Sequence, residues 1–420
     1  MGVELTRLKG FQDVLGPQAR TLAYVEERAR ALMERYAVGE IRIPLLERTE
    51  LYQRSTGETS DIVSKQMYTF TDRDEAETTL ALRPEGTPGV VRAYIEAGMD
   101  RSDPEQRFFY SGPMFRRERP QKGRYRQFYQ FGVEVFGRAD AACDAELLVM
   151  IDDLRRDLGL QFQLEINSLG CGKCRSAFRT AVLDYGRAHF TELCHDCHER
   201  LERNPLRLLD CKIDVKLAEA APKSLDFLCA ECRKHFDTVL DLLKSAGVEF
   251  VINPRIVRGL DYYMRTTFEV TSTNLGSQNA VVAGGRYDGL VETLGGAPVP
   301  GIGFAIGMER IALALEAAQT PRAGLMRVAL IALGEAAARR ATELARELRA
   351  LPLQVELLST ERSLKAQLKR ADRIGANYAV IIGADELARA AAQLRDLGAS
   401  AQREVSLANL AAELYPARRD

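Results

Sequence analysis

The 420-residue chain has almost no net charge: 58 lysines and arginines stand against 59 aspartates and glutamates, a formal charge of −1. This excludes a global attraction to nucleic acid, so any RNA contact has to be made by local basic patches. No apolar run approaches the roughly 18 residues of a membrane span, and the N-terminus lacks the charged and apolar regions of a signal peptide. The sequence therefore predicts a cytoplasmic protein without membrane association. Two nucleotide-binding signatures are missing as well. The glycine-rich stretch Ala283-Gly-Gly-Arg-Tyr-Asp-Gly289 reads as a turn, and without Gly-Lys-Ser/Thr it is no phosphate loop. After Gly301 and Gly303 the third glycine of a dinucleotide fingerprint comes one residue late, at Gly307, and no acidic ribose ligand follows. Cysteine is scarce outside one stretch, since seven of the eight fall between Cys171 and Cys232.

What is present is a soluble globular composition, 46% hydrophobic and 28% charged, in a chain long enough for two or three domains with substantial cores. Residues 108–137, FFYSGPMFRRERPQKGRYRQFYQFGVEVFG, organise the rest. From Gln127 onward the parity splits: Tyr129, Phe131, Val133 and Val135 make one face, while Phe128, Gln130, Gly132, Glu134 and Phe136 make the other. Phe108, Tyr110, Met114 and Arg116 share a parity in a preceding strand. Residues 119–125 supply a loop with a proline, a glycine and three cations. The prediction is an antiparallel hairpin with a basic tip, holding Arg116, Glu118, Gln130 and Glu134 near one another. Gln and Glu over an apolar floor suit a small polar substrate, and arginine beside them suits a phosphate or carboxylate.

This hairpin resembles motif 2 of the class II aminoacyl-tRNA synthetases, in the form found in the histidyl-tRNA synthetase family. Two later stretches point the same way. Arg258-Gly-Leu-Asp-Tyr-Tyr263 is similar to the signature of the histidine enzymes, and Gly301-Ile-Gly-Phe-Ala-Ile-Gly-Met-Glu-Arg310 is similar to class II motif 3. The resemblance runs from Lys9-Gly-Phe-Gln-Asp13 to the C-terminal region. It implies an α+β class II catalytic domain, an antiparallel sheet flanked by helices, with a helical insertion and a C-terminal α/β anticodon-binding domain. The expected divisions are 1–170 and 248–320 for the two parts of the catalytic domain, 171–247 for the insertion and 326–420 for the anticodon domain.

The implied reaction has two steps. Histidine and ATP, with Mg²⁺, give histidyl-adenylate and pyrophosphate, and the histidyl group then passes to tRNA(His). By resemblance, Arg116 and Arg258 are the catalytic residues, neutralising the α-phosphate from two sides. Arg116 also contacts the substrate carboxylate, Glu118 lies by the adenine, and Arg310 holds the nucleotide against Phe128. Glu85, Gly86 and Thr87 hold the α-amino group, which suits an acceptor-only carboxylate and a hydroxyl. Gln130, Glu134, Tyr262 and Tyr263 line the histidine pocket, with Glu134 and Tyr263 on the imidazole nitrogens. Gln121 faces the tRNA acceptor end. Residues 41–57 read as a strand broken by Pro44, at the position of motif 1, whose family role is the homodimer interface. The alternative is a non-catalytic, histidine-sensing regulatory paralogue of ATP phosphoribosyltransferase, but such paralogues typically lack the anticodon domain and the intact Arg258–Tyr263 signature.

The flanking segments read simply. Residues 18–37 and 144–158 show helical spacing, and 162–166 and 248–252 read as strands. The three Cys-x-x-Cys pairs, Cys171/Cys174, Cys194/Cys197 and Cys229/Cys232, argue for zinc rather than disulfides in a cytoplasmic protein. Thiols three apart also share a helix face unaided, so zinc and unbridged thiols both stay open, as does the choice of partners. Beyond a linker at 320–324, strands at 327–333, 353–358 and 378–383 alternate with helices at 335–350 and 364–375, which predicts a mainly parallel sheet. Arg362, Lys365, Lys369, Arg370 and Arg373 form a basic strip there.

Overall fold

The computed structural model describes residues 5–57, 60, 62–73, 77–257, 262–272, 275, 279–318 and 325–415. Arg258 and the 320–324 linker lie outside these residues. The chain divides into two compact units, Met1–Thr320 and Pro321–Asp420.

In the first unit the strands are β1 (Gly39–Glu40), β2 (Leu46–Arg48), β3 (Tyr68–Thr71), β4 (Thr79–Leu82), β5 (Arg107–Phe115), β6 (Gln127–Phe136), β7 (Gln163–Ser168), β8 (Val251–Ile252), β9 (Met264–Thr271), β10 (Ala280–Arg286) and β11 (Gly301–Gly307). Eight of them form one sheet in the order β1-β5-β6-β11-β10-β9-β7-β8, and β2, β4 and β3 make a small second sheet. The six central strands pair antiparallel, and only the edge pairs β1/β5 and β7/β8 are parallel. The β5–β6 hairpin pairs from Arg107/Val135 to Phe115/Gln127, and its parity is the one the sequence dictates. Phe131, Val133 and Val135 enter the core beneath the helices Gly16–Arg35, Ala141–Leu158 and Met308–Ala317, while Tyr110, Met114 and Phe136 face the opposite side. A helix-covered face and a face left for the site follow from that alternation.

Two expectations for this unit are corrected. Residues 49–56 are a helix, Thr49–Thr56, rather than strand: Thr49, Tyr52, Ser55 and Thr56 are its buried positions, a three-to-four spacing that a strand cannot bury on one side. Ala283–Gly289 is no simple turn, because its first residues run through β10 in the middle of the sheet. Its glycines serve close approach. A Cβ on Gly284 would meet the Phe268 and Phe304 side chains as well as the Gly303 carbonyl.

The cysteine-rich segment is helical, with Gly172–Ala188 and Ala230–Ser245 as its long elements. The second of these does not stand apart: Phe236, Val239 and Leu243 share the core under the large sheet.

In the second unit, β12 (Met326–Ala332), β13 (Leu353–Leu357), β14 (Tyr378–Ile382), β15 (Ala391–Asp396) and β16 (Gln402–Ser406) form a sheet ordered β13-β12-β14-β15-β16. The helices Glu335–Arg349 and Leu364–Arg373 fall where periodicity puts them. The sheet is mixed rather than mainly parallel, since β15 and β16 pair antiparallel. These two strands carry polar, partly exposed residues such as Gln393, Arg395, Gln402 and Arg403, and so lack the apolar runs that mark β12 and β14.

Candidate active site

The face of the large sheet opposite the Gly16–Arg35 helix carries a cleft between the β5–β6 hairpin and the β9–β10–β11 strands. One end of it is a buried polar nest. Thr87, the first residue of the helix Thr87–Glu96, donates a 2.6 Å hydrogen bond to Glu134 Oε1 on β6. The Tyr287 hydroxyl donates to the other oxygen of the same carboxylate. Glu134 is only 1% exposed. Burial pushes its carboxyl up to about 8, against the lowering effect of the Thr87 and Tyr287 hydrogen bonds, and the neighbouring Glu85 adds to the rise. Tyr262 donates a 3.1 Å hydrogen bond to Glu85 Oε2, and its ring lies 4.6 Å from that of Tyr263. Gln130 Oε1 is buried in the cleft wall without a hydrogen-bond partner among the described residues.

The glycines of β11 make room for this nest. A Cβ on Gly303 would overlap Glu134 Oε2 and the Val133 carbonyl, and Gly303 pairs with Glu134 across the β11/β6 ladder. The adjacent Arg286–Asp144 ion pair is completely buried and anchors the residue before Tyr287. Burial pushes the Asp144 carboxyl up, but its bonds to His235 and Arg286 more than offset this and hold it below the usual carboxylate range.

The other end of the cleft is cationic. Arg116 Nε donates to the Pro84 carbonyl at 2.9 Å, and its guanidinium lies 5.4 Å from the centroid of Phe128. Arg310, in the first turn of Met308–Ala317, is held by the Gly123 and Ala280 carbonyls at 3.1 and 2.6 Å. Arg124 donates to the Glu118 carboxylate. Burial lowers the pKa of Arg124 and Arg310, and the mutual repulsion of the three guanidiniums, with Arg116 acting on both others, lowers them further. Three cations forced together over a hydrophobic floor favour a polyanion that relieves their repulsion.

Most of the residues singled out in the sequence meet here. Glu85, Thr87, Arg116 and Glu118 line the cleft from one side, and Phe128, Gln130, Tyr263 and Arg310 line it too. Gly86 directly precedes the Thr87–Glu96 helix, and Glu134 and Tyr262 sit in the hydrogen-bonded nest. Gln121 lies outside the lining, in the hairpin loop, where it bridges to Arg124. Arg258 falls outside the described residues. Sequence reasoning missed Tyr110, Tyr287, Glu269, Glu309 and Arg124. Glu309 accepts the Tyr129 N–H at 2.9 and 3.1 Å, and burial pushes it up to about 7. The signal for Tyr110 was available in its parity with Met114, while that of Tyr287 was concealed by the turn-like glycines before it.

The profile described as histidyl-tRNA synthetase matches residues 10–311, and the one described as anticodon binding domain matches 327–415. Among curated relatives, a protein of Geobacter sulfurreducens called histidine–tRNA ligase is 48% identical over 406 residues, covering 96% of this chain and 97% of its own. One of the same name from Nitratidesulfovibrio vulgaris is 45% identical over 418 residues, 99% of each chain. The crystal structure of apo S. aureus histidyl-tRNA synthetase superposes with a TM-score of 0.79 at 33% identity, covering 98% of this chain and all of that one.

Proposed function

The chain belongs to the histidyl-tRNA synthetase family, and on that premise we propose how its cleft carries out the reaction of that family. Its function is that of a class II histidine–tRNA ligase, which activates L-histidine with ATP and transfers the histidyl group to tRNA(His). The regulatory-paralogue alternative is not favoured, because the chain carries an anticodon-binding domain at 327–415 and its relatives of 45–48% identity are called ligases.

The observation that carries the mechanism is the union, in one cleft, of a buried nest of hydrogen-bonding side chains with a wall of three guanidiniums. Histidine takes the nest: Glu85, Gly86 and Thr87 hold its α-amino group, Gln130 Oε1 accepts a hydrogen bond, and Glu134 and Tyr263 address the imidazole nitrogens, with Tyr262 fixing Glu85. Buried partners for both nitrogens reject apolar isosteres, which would leave those partners unpaired. ATP takes the cationic end, with adenine on Phe128 beside Glu118, and Arg310 against the nucleotide. Arg116 lies where the two substrates meet and orients the histidine carboxylate towards the α-phosphorus; Arg258, carried over from the family signature, adds its charge to the neutralisation of the same phosphate. The carboxylate oxygen forms the new P–O bond and pyrophosphate leaves with the electron pair. No protein nucleophile is needed, since positioning and fixed charge supply the rate. Mg²⁺ would be held mostly by the phosphates and water, with Glu269 in the cleft lining as the nearby carboxylate, and would supply positive charge to the triphosphate.

Gln121 at the hairpin tip meets the acceptor end of the tRNA, and the exposed cations of the Leu364–Arg373 helix contribute to anticodon binding. The protein acts in the cytoplasm as a homodimer. Leu45 and Leu46, each 43% exposed and within the motif 1 region, support a partner on that face. The test is charging: the purified chain should attach histidine to tRNA(His) in an ATP-dependent manner, and attachment of another amino acid, or none, refutes the assignment.

A further inference from the structure

The helical segment after β7 gathers its cysteines into two compact groups. In the first, Cys171 immediately precedes the helix Gly172–Ala188 and Cys174 lies in its first turn; Cys229 and Cys232 stand in the same relation to Ala230–Ser245. In the second, Cys194 and Cys197 open the helix His195–Arg200, while Cys211 and Asp214 come from the turn before Val215–Ala220 at the same spacing of three. Within each group all four ligand atoms lie within 4.8 Å of one another.

These distances decide between chemistries. Cys171 and Cys174 have sulfurs 3.6 Å apart, and Cys194 and Cys211 3.7 Å apart, whereas a disulfide needs about 2.05 Å. A tetrahedral ion with Zn–S bonds of about 2.3 Å sets its sulfurs about 3.8 Å apart. A polynuclear iron–sulfur core, by contrast, has to hold its thiolates further apart than a single ion does. Backbone donors already point at the ligands: the Cys229 N–H donates to Cys174 Sγ at 3.1 Å and the Asp214 N–H to Cys211 Sγ at 3.3 Å. Asp214 takes the place of a fourth thiol. It is 8% exposed, accepts the Cys194 N–H at 3.1 Å and lies 3.6 Å from Cys211 Sγ. A carboxylate buried among three sulfurs carries a desolvation cost that a divalent cation offsets.

We propose that this segment binds two zinc ions, one on Cys171, Cys174, Cys229 and Cys232 and one on Cys194, Cys197, Cys211 and Asp214. The first ion fastens both ends of the segment beside the catalytic sheet, where the Leu169 N–H donates to the Arg265 carbonyl, the Arg265 N–H to the Gly170 carbonyl, and Arg175 to the Tyr263 carbonyl at 3.3 Å. The second closes the outer loop, whose short helices bury Leu201, Leu206 and Leu208 against Phe178 and Val182 of the Gly172–Ala188 helix. Each ion displaces the thiol protons of its ligands to solvent and involves no change of oxidation state.

The test uses the full chain, produced with added zinc and purified without chelator, with metal content measured by mass spectrometry and the zinc shell by X-ray absorption. About two zinc per chain are expected, with a combined shell of seven sulfurs and one oxygen. The pair Cys194→Ser/Cys197→Ser should retain one ion in an all-sulfur shell, and Cys171→Ser/Cys174→Ser one ion in a shell of three sulfurs and one oxygen. If either variant fails to fold, the stoichiometry and shell of the unaltered protein decide. Zinc near one equivalent or below, iron in its place, or a sulfur-poor shell overturns the proposal.

Discussion

The Thr87 hydroxyl donates a 2.6 Å hydrogen bond to Glu134 Oε1, tying the start of the Thr87–Glu96 helix to the middle of β6. Because Glu134 is pushed up to about 8 by burial and a free imidazole titrates near 6.5, the pair of Glu134 and bound histidine side chain holds one proton between them from about 6.5 to about 8. Below that window a proton has to leave on binding, and above it one has to be taken up. Histidine affinity, measured by calorimetry, should therefore be bell-shaped in pH with its plateau in that interval, and Glu134→Gln should lose the alkaline limb. A flat profile for the unaltered protein contradicts the placement of the imidazole.

The same carboxyl affects stability. Its folded pKa lies above its ordinary value of 4.5, so between 4.5 and about 8 the folded state binds a proton that the unfolded chain does not. The contribution of the protonated form is fully present below 4.5 and is lost as pH rises through about 8. Thermal unfolding at a series of pH values should show Glu134→Gln gaining on the unaltered protein as pH rises from 5 to 8. A constant difference would mean that Glu134 is ionised throughout.

Arg286 and Asp144 are both fully buried, and removing Arg286 leaves the Asp144 carboxylate with His235, 2.8 Å away, as its remaining ionisable partner. Arg286→Met should cost about 3–5 kcal/mol in denaturant unfolding, more than the double variant with Asp144→Leu. If the single variant is no worse than the double, the pair contributes little.

The hairpin was legible because its chemistry and its parity coincide: the residues that alternate inward at Phe131, Val133 and Val135 leave Gln130 and Glu134 on the other face. The helix at 49–56 was not, because its buried residues are Thr49, Tyr52, Ser55 and Thr56, whose polar character conceals a helical period. Nor was the role of Arg286 and Tyr287, since glycines needed for close strand packing have the same appearance in sequence as glycines needed for a turn. Cys211 with Asp214 escaped for a different reason. A lone thiol acquires its partners only when the chain folds, and nothing in the spacing tells a carboxylate ligand from a helix start.

The separation of the two units at Thr320 and Pro321 predicts that a chain ending at Thr320 still forms adenylate but charges tRNA poorly, because anticodon contacts add affinity without touching the chemistry. Aminoacylation at limiting tRNA should fall while pyrophosphate exchange is retained. Equal charging by both chains would show that the second unit contributes no tRNA affinity.

The most direct measurement is histidine-dependent exchange of pyrophosphate into ATP by the unaltered chain, Arg258→Ala and Glu134→Ala. The unaltered chain should exchange with histidine alone among the amino acids. Arg258→Ala should lose roughly a hundredfold or more in kcat with little change in KM, since its charge acts as the α-phosphate gains negative charge. Glu134→Ala should act on histidine KM and specificity, at a cost of roughly 2–4 kcal/mol, and leave ATP binding intact. Near-normal exchange by both variants, or exchange that does not require histidine, would contradict the assignment of this cleft.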